Sequence, residues 1–279
     1  MVRIITDSSS DITLNRAKEL DIQVIPLTVT FDGTSYLDGV EISADAFYQK
    51  LASSKELPTT SQPSPEAFIP LFTEIKEKGD SAVVILLSGA LSGTCQSATI
   101  ARQMVGCADI HIVDSKNVTV GLQALVDQAL EMRAQGLSAA GIAEKLSEMA
   151  ERVVLLAMVD TLEYLYKGGR LSRTAKIAGT LLGFKPIITI SDGAVKLLGR
   201  GRGAKNTIEK LLDISDDGAA IVPGSNCYFG YTGHDERCTQ LIELATQRRN
   251  IQKYTVTSVG GAIGTHAGPG ACVLCYLSE

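Results

Sequence analysis

The stretch Leu57-Pro-Thr-Thr-Ser-Gln-Pro-Ser-Pro65 sets three consecutive hydroxyl side chains, Thr59, Thr60 and Ser61, in a segment stiffened by three prolines. Pro58, Pro63 and Pro65 fix φ and push Leu57, Gln62 and Ser64 toward extended backbone, so the hydroxyls have little freedom left to lose. Neutral donors on a rigid loop suit an anionic oxygen ligand. The same residues also make a plain loop-to-helix connection, with Ser64 as N-cap and Pro65 at the first helical position. A second hydroxyl-rich segment, Ser88-Gly-Ala-Leu-Ser-Gly-Thr94, follows a continuous apolar run and opens a helical pattern. Ligands of open parallel sheets sit beyond the carboxyl ends of strands, and amides at a helix start attract anions. Ser88 and Ser92 therefore join the candidates, although Ser92 capping its own helix is the plainer use. A third segment, Val259–Gly270, holds five glycines and His266, one of only three histidines. That much backbone permissiveness exceeds what a passive link needs.

Other chemistries lack their residues. No Gly-Lys pair exists to end a Walker-type phosphate loop, and neither Gly-x-Ser-x-Gly nor His-Glu-x-x-His occurs. Gly199-x-Gly201-x-Gly203 departs from the dinucleotide fingerprint and follows a hairpin strand. Cys272 and Cys275 have CxxC spacing, but they fall in a run that reads as a strand, where residues three apart face opposite ways; neither metal binding nor redox chemistry follows. No cofactor is implied, and His111 and His234 read as structural.

The elements that must position these residues alternate β and α. Val2–Thr6 reads as a strand, followed by a polar turn through Asp11 and a helix to Leu20. Ile22–Phe31 reads as a second strand, Ser43 as the cap of a helix to about Ala52, and Pro65–Lys78 as a helix ended by Gly79. Ser81–Leu87 is apolar throughout, as in a strand buried on both faces, and is followed by a helix to Val105, a strand Ile110–Asp114, and helices over 118–134 and 138–152. The fold class is α/β: a parallel doubly wound first domain, then a second domain with a mixed sheet. The boundary falls near Val153–Asp160, giving domains of 1–155 and 156–279. In the second, Val153–Val159 is a strand, Asp160–Arg170 a helix closed by two glycines, and Leu171–Leu182 a helix. Pro186–Ile190 and Ala194–Leu198 form a hairpin; Ala204–Leu212 is a helix, and Asn226–Tyr231, Glu236–Arg248, Lys253–Ser258 and Ala271–Leu277 give a β-α-β-β series.

Composition sets outer limits. The 279 residues are 45% hydrophobic and 20% charged, a globular balance with room for a sizeable core. With no Trp and 5% aromatic residues, that core must be aliphatic. A net charge of −5 argues against bulk nucleic-acid binding, yet ten Lys/Arg face three acids between Glu163 and Lys210, so this segment is +7. No apolar run approaches a membrane span and the first residues turn polar too soon for a signal peptide, so a cytoplasmic protein with six reduced cysteines is expected.

Taken together, Thr6–Asp11, Pro58–Pro65, Leu91-Ser-Gly-Thr94 with Gln96-Ser-Ala98, Val113-Asp-Ser115, Asp160–Tyr164 with Lys167-Gly-Gly-Arg170, Lys185-Pro-Ile187, and Gly264-Thr-His266 with Gly268-Pro-Gly270 resemble the DegV family of bacterial fatty-acid-binding proteins almost end to end. The resemblance implies a two-domain α/β protein that buries a long-chain fatty acid in a tunnel between its domains. It implies Thr60 and Ser92 as donors to the carboxylate, Ser61 and Ser88 as neighbours, and Arg202 and His266 as second-domain partners of that polar cluster. Some members present the acid to a fatty acid kinase that makes an acyl-phosphate, which would make this chain a monomeric carrier, with Arg170 and Arg173 as docking candidates. Gly89, standing where many members have a second serine, and the run Gly199-Arg-Gly-Arg-Gly203 depart from the family pattern. The rival from another class is an enzyme that acts on a small phosphorylated or acyl substrate, with His266 as base; a third reading is a regulatory partner without a ligand.

Overall fold

The computed structural model describes residues 1–171 and 183–279. Its first domain is built on a four-stranded parallel sheet of order β2-β1-β6-β7, formed by β1 (Val2–Asp7), β2 (Ile22–Ile25), β6 (Ser81–Leu86) and β7 (Ile110–Asp114). Helices α1 (Leu14–Leu20), α3 (Pro65–Lys78), α4 (Thr94–Val105), α5 (Thr119–Ala134) and α6 (Ala139–Ala150) make the crossovers and cover both faces. β6 is buried on both sides: Val83 and Ile85 enter one cluster, Ala82, Val84 and Leu86 another.

Pro26 divides the run expected as one strand. It has no N–H for a ladder, so β2 stops at Ile25 and the chain turns into a small antiparallel sheet of order β4-β3-β5. That sheet comprises β3 (Thr28–Phe31), β4 (Thr34–Leu37) and β5 (Thr59–Ser61), backed by α2 (Ala44–Ser53), whose cap Ser43 accepts from the Ala46 amide. The hydroxyl-rich loop thus contains a strand: Thr60 lies opposite Val29. Prolines on either side hold these residues extended, which is the conformation a strand needs.

The second domain has a mixed six-stranded sheet of order β10-β9-β8-β13-β11-β12. Its strands are β8 (Val153–Met158), β9 (Phe184–Ser191), β10 (Ala194–Arg202), β11 (Cys227–Tyr231), β12 (Tyr254–Ser258) and β13 (Cys272–Leu277); only β11 and β12 pair in parallel. Alternation divides the sheet cleanly. Leu156, Met158, Ile187, Cys272 and Leu274 face α8 (Ala204–Asp217) and α9 (Glu236–Arg249), whereas Leu155, Ala157, Ile188, Val273 and Cys275 join the large cluster shared with the first domain. Cys272 and Cys275 therefore sit in different clusters, as strand geometry requires. The short helix α7 (Glu163–Lys167) closes at Gly168 and Gly169, and the expected helix over 171–182 lies almost entirely outside the described residues. The glycine-rich connection is no loop: it folds as α10 (Gly261–Ala267), so the series ends β-α-β-α-β. The expected boundary after residue 155 falls within β8, all of which belongs to the second sheet.

Candidate ligand-binding site

Four segments converge where the domains meet. β5 brings Thr60, the loop after β6 brings Ser92, α7 and its exit bring Arg170, and α10 brings His266; all four residues line one cavity of about 360 Å³. The polar atoms form linked pairs. Thr60 Oγ1 and His266 Nε2 lie 2.7 Å apart across the domain interface, and Ser92 Oγ is 2.9 Å from Thr94 Oγ1 at the start of α4. The N-cap of α4 is Gly93, which offers no side-chain acceptor, so the first-turn amides of this helix are available to an outside one. Gln62 lies against that turn and donates from Nε2 to Ser97 Oγ at 3.0 Å. A Cβ on Gly93 would fall 2.3 Å from Gln62 Oε1, so a larger residue there would displace the Gln62 amide from this turn.

His266 is held in its neutral form. Burial, and then the Arg170 guanidinium, lower its pKa to about 4, and its Nδ1 is buried with no partner among the described residues. The ring packs on Gly168, where a Cβ would be 2.2 Å from Nδ1. Arg170 donates from Nε to the Leu91 carbonyl at 3.1 Å and from Nη1 to the Gly168 carbonyl at 2.8 Å, tying the end of α7 to the loop that carries Ser92. The rest of the wall is aliphatic, with Leu155, Ile188, Ile190, Val195 and Val273 from the inner face of the second sheet and Val118 from the first domain. The arrangement offers hydroxyls, one imidazole and one guanidinium beside a predominantly hydrocarbon surface, a combination suited to an amphiphile with a small anionic head.

Of the residues singled out from sequence, Thr60, Ser61, Ser92, His266 and Arg170 line this cavity. Ser88 and Arg202 do not. Ser88 is fully buried and donates to the Gly193 carbonyl at 2.7 Å, pinning the tip of the β9–β10 hairpin to the first domain. Arg202 ends β10 opposite Phe184, at the sheet edge, where its side chain is exposed. Arg173 lies outside the described residues. Gln62, Thr119 and Thr232 also line the cavity; of these only Gln62, inside the proline-rich stretch 57–65, has a signal in the sequence. Within the glycine-rich departure from the family pattern, a Cβ on Gly201 would stand 2.7 Å from Thr207 Cα, so this glycine lets β10 run close over α8; a Cβ on Gly89 would meet only the movable Asp114 carboxylate, at 2.9 Å.

Residues 1–279 match the DegV family of uncharacterised proteins. A DegV domain-containing protein of Caldanaerobacter subterraneus is 37% identical over 270 residues, covering 97% of this chain and 96% of the relative. Among solved structures, a Thermus thermophilus DegV family protein described as binding fatty acid superposes with a TM-score of 0.90 at 31% identity, covering 100% of this chain and 99% of that one. A stearic-acid-binding protein of Eubacterium ventriosum superposes at 0.87 with 30% identity, covering 100% and 98%. Bacillus subtilis DegV, described as a fatty acid binding protein, gives 0.86 at 28% identity, covering 100% and 99%. With a match along its whole length and the same two-domain fold, this chain belongs to the DegV family.

Proposed function

We propose that this protein binds a long-chain fatty acid in the interdomain cavity and acts as a carrier rather than a catalyst. The observation that carries the reading is the meeting of Thr60, Ser92 and neutral His266 at one cavity whose remaining wall is aliphatic. The fatty-acid binding described for the Thermus thermophilus and Eubacterium ventriosum proteins, at 31% and 30% identity over essentially the full chain, supports the ligand class. In this reading Thr60 and Ser92 donate to the carboxylate, and Ser61, His266 and the first-turn amides of α4 complete its shell. A carboxylate offers about four acceptor sites, so hydroxyls and amides can satisfy it without a fixed ion pair. The tail supplies affinity. At about 0.8 kcal/mol per CH₂, burying about sixteen carbons yields on the order of 10 kcal/mol before association costs.

Thr60 and His266 also have the spacing of a nucleophile and its base. A catalytic role is disfavoured because a base with a pKa of about 4 is a weak one, and among the described residues no third group orients its Nδ1. We extend the carrier reading to delivery of the bound acid to a fatty acid kinase, with the basic segment from Glu163 to Lys210 as the docking side and Arg170 and Arg173 as its candidate contacts. Lipid extraction and native mass spectrometry of freshly purified protein test the central claim. A copurified long-chain acid is expected, and its consistent absence after incubation with fatty acid would remove the proposal.

A further inference from the structure

Two aspartates outside the cavity grip it from across the domain interface. Asp11 follows the 3-10 turn after β1, and Asp38 follows β4. Asp11 Oδ1 accepts from the Gly260 amide at 2.8 Å, and Oδ2 accepts from the Thr119 hydroxyl at 2.5 Å. Asp38 Oδ1 accepts from the Gly261 amide at 2.9 Å. Gly260 is the N-cap of α10 and Gly261 its first residue, and the far end of this helix carries His266. Thr119 opens α5, lines the cavity, and has a φ of 47°, left-handed backbone that a β-branched residue adopts only when its surroundings impose it. The fit is close. A Cβ on Gly260 would stand 3.1 Å from Asp11 Oδ1 and 3.4 Å from Asp38 Oδ1, and one on Gly261 would stand 2.9 Å from the Phe47 ring. Tyr48 secures the preceding residue, donating to the Val259 carbonyl at 2.9 Å.

We propose that Asp11, supported by Asp38, is a positioning residue for the cavity: it holds the start of α10 and the left-handed Thr119 together, and so fixes where His266 meets Thr60 without itself touching a ligand. The geometric claim stands on the fold; its consequence for retention rests on the fatty-acid reading. Asp11 works with its carboxylate enclosed by protein. Burial, and then the charges of Asp38 and Asp7, raise its pKa to about 8 against the pull of the Thr119 and Gly260 hydrogen bonds. Asp7, Asp38 and the Tyr48 phenol are the titratable groups that share this surrounding, all three are shifted upward, and no cation offsets them among the described residues.

The direction of the pH dependence follows. A solvated aspartic acid releases its proton near pH 4, whereas the closed interface keeps that proton until about pH 8. Closure is therefore strongest at low pH and weakens as pH rises through that range. His266 has the opposite sign: its lowered pKa of about 4 favours closure as pH rises toward 6.5, and adds nothing further above it. The window from about pH 6.5 to 8.5 thus isolates the aspartates, with Asp7, at about 6, already mostly ionised.

The test uses Asp11→Asn, which keeps an acceptor for Gly260 and mimics the protonated acid toward Thr119, and Asp11→Ala, which keeps neither contact. Imidazole NMR on ligand-free protein reads His266 directly, and unchanged amide signals across β7 serve as the control that the first domain keeps its fold. In Asp11→Ala the His266 pKa should rise by about one unit or more toward its solvated value. An unmoved His266 in a variant that keeps its fold would overturn the proposal. On stearate-loaded protein, release to phosphatidylcholine vesicles should accelerate about ten-fold between pH 6.5 and 8.5 in the wild type and show little slope in Asp11→Asn. Equal slopes would overturn it, and this arm decides should Asp11→Ala not fold. Wild-type protein that takes up no stearate would remove the fatty-acid reading instead, leaving the His266 measurement to judge the positioning claim.

Discussion

The Thr60–His266 pair shows how few side chains the site needs and how exposed it is to single changes. Thr60→Val removes the hydroxyl and leaves His266 Nε2 facing the cavity without its partner, so stability should fall by about 1 kcal/mol in denaturant titration, with retention of a fatty acid reduced about ten-fold or more. Gly168→Ala attacks the other side of the same ring. Its Cβ would enter within 2.2 Å of His266 Nδ1, and the helix-end backbone at Gly168 leaves the imidazole as the group that must move. Fatty-acid uptake should be lost while far-UV circular dichroism is kept; normal uptake by Gly168→Ala would mean that His266 does not border the head group. At this scale Thr60, Ser92 and His266 could be picked out because they stand in short polar or glycine-rich runs, although a loop-to-helix connection and a helix cap were equally open uses, and Ser88, from the same run as Ser92, serves the hairpin instead. Thr119 was not, because its left-handed backbone and its bond to Asp11 come from residues far away in sequence. Arg202 was carried over by resemblance alone, and where a hairpin's final side chain points is set by the sheet edge rather than by motif.

Elements were more legible than their partners. Caps and stop signals put α2, α3 and α4 within a residue or two of their observed ends, since Ser43, Gly79 and Gly106 do local work that a sequence shows directly. The elements β4, β5 and α10 escaped, and the expected strand does not separate β3 from β2. Proline at position 26 sent β3 into a separate sheet with β4 and β5, and the five glycines from Gly260 to Gly270 concealed a helix that helix propensity opposes. The glycines of α10 serve packing instead of flexibility. A Cβ on Gly264 would stand 2.5 Å from the Tyr48 hydroxyl and 2.8 Å from the Phe47 ring, so the helix lies directly on α2. Gly264→Ala gains helix propensity yet should destabilise the protein by about 1–3 kcal/mol and move His266 away from Thr60, read by thermal melting together with fatty-acid retention. A Gly264→Ala variant more stable than the wild type would mean that α10 is not pressed against α2.

At the scale of the whole molecule, α5 and the cavity share one role, because both lie between the two sheets. The first eight residues of α5, Thr119–Val126, are all buried, a pattern expected of a helix covered on every side. It reaches the second domain through Asp127, which accepts from the Tyr228 hydroxyl at 2.9 Å, and through Gln123, which accepts from Thr257 Oγ1 at 2.9 Å. The lack of any charged residue over Thr119–Val126 is readable in the sequence, but which two sheets cover the helix is not, since its partners Tyr228 and Thr257 lie about a hundred residues or more away. A ligand in the adjoining cavity touches both domains and so binds the closed arrangement in preference to any open or unfolded one. At about a thousand times its dissociation constant such a ligand adds about 4 kcal/mol to stability. At roughly 2–4 °C per kcal/mol for a chain of this size class, reloading delipidated protein with stearate should raise the melting temperature by about 10 °C. Octanoate carries the same head group with far less tail, so at equal concentration it should give only a small fraction of that rise. Equal stabilisation by the two acids would show that the aliphatic wall contributes little to affinity.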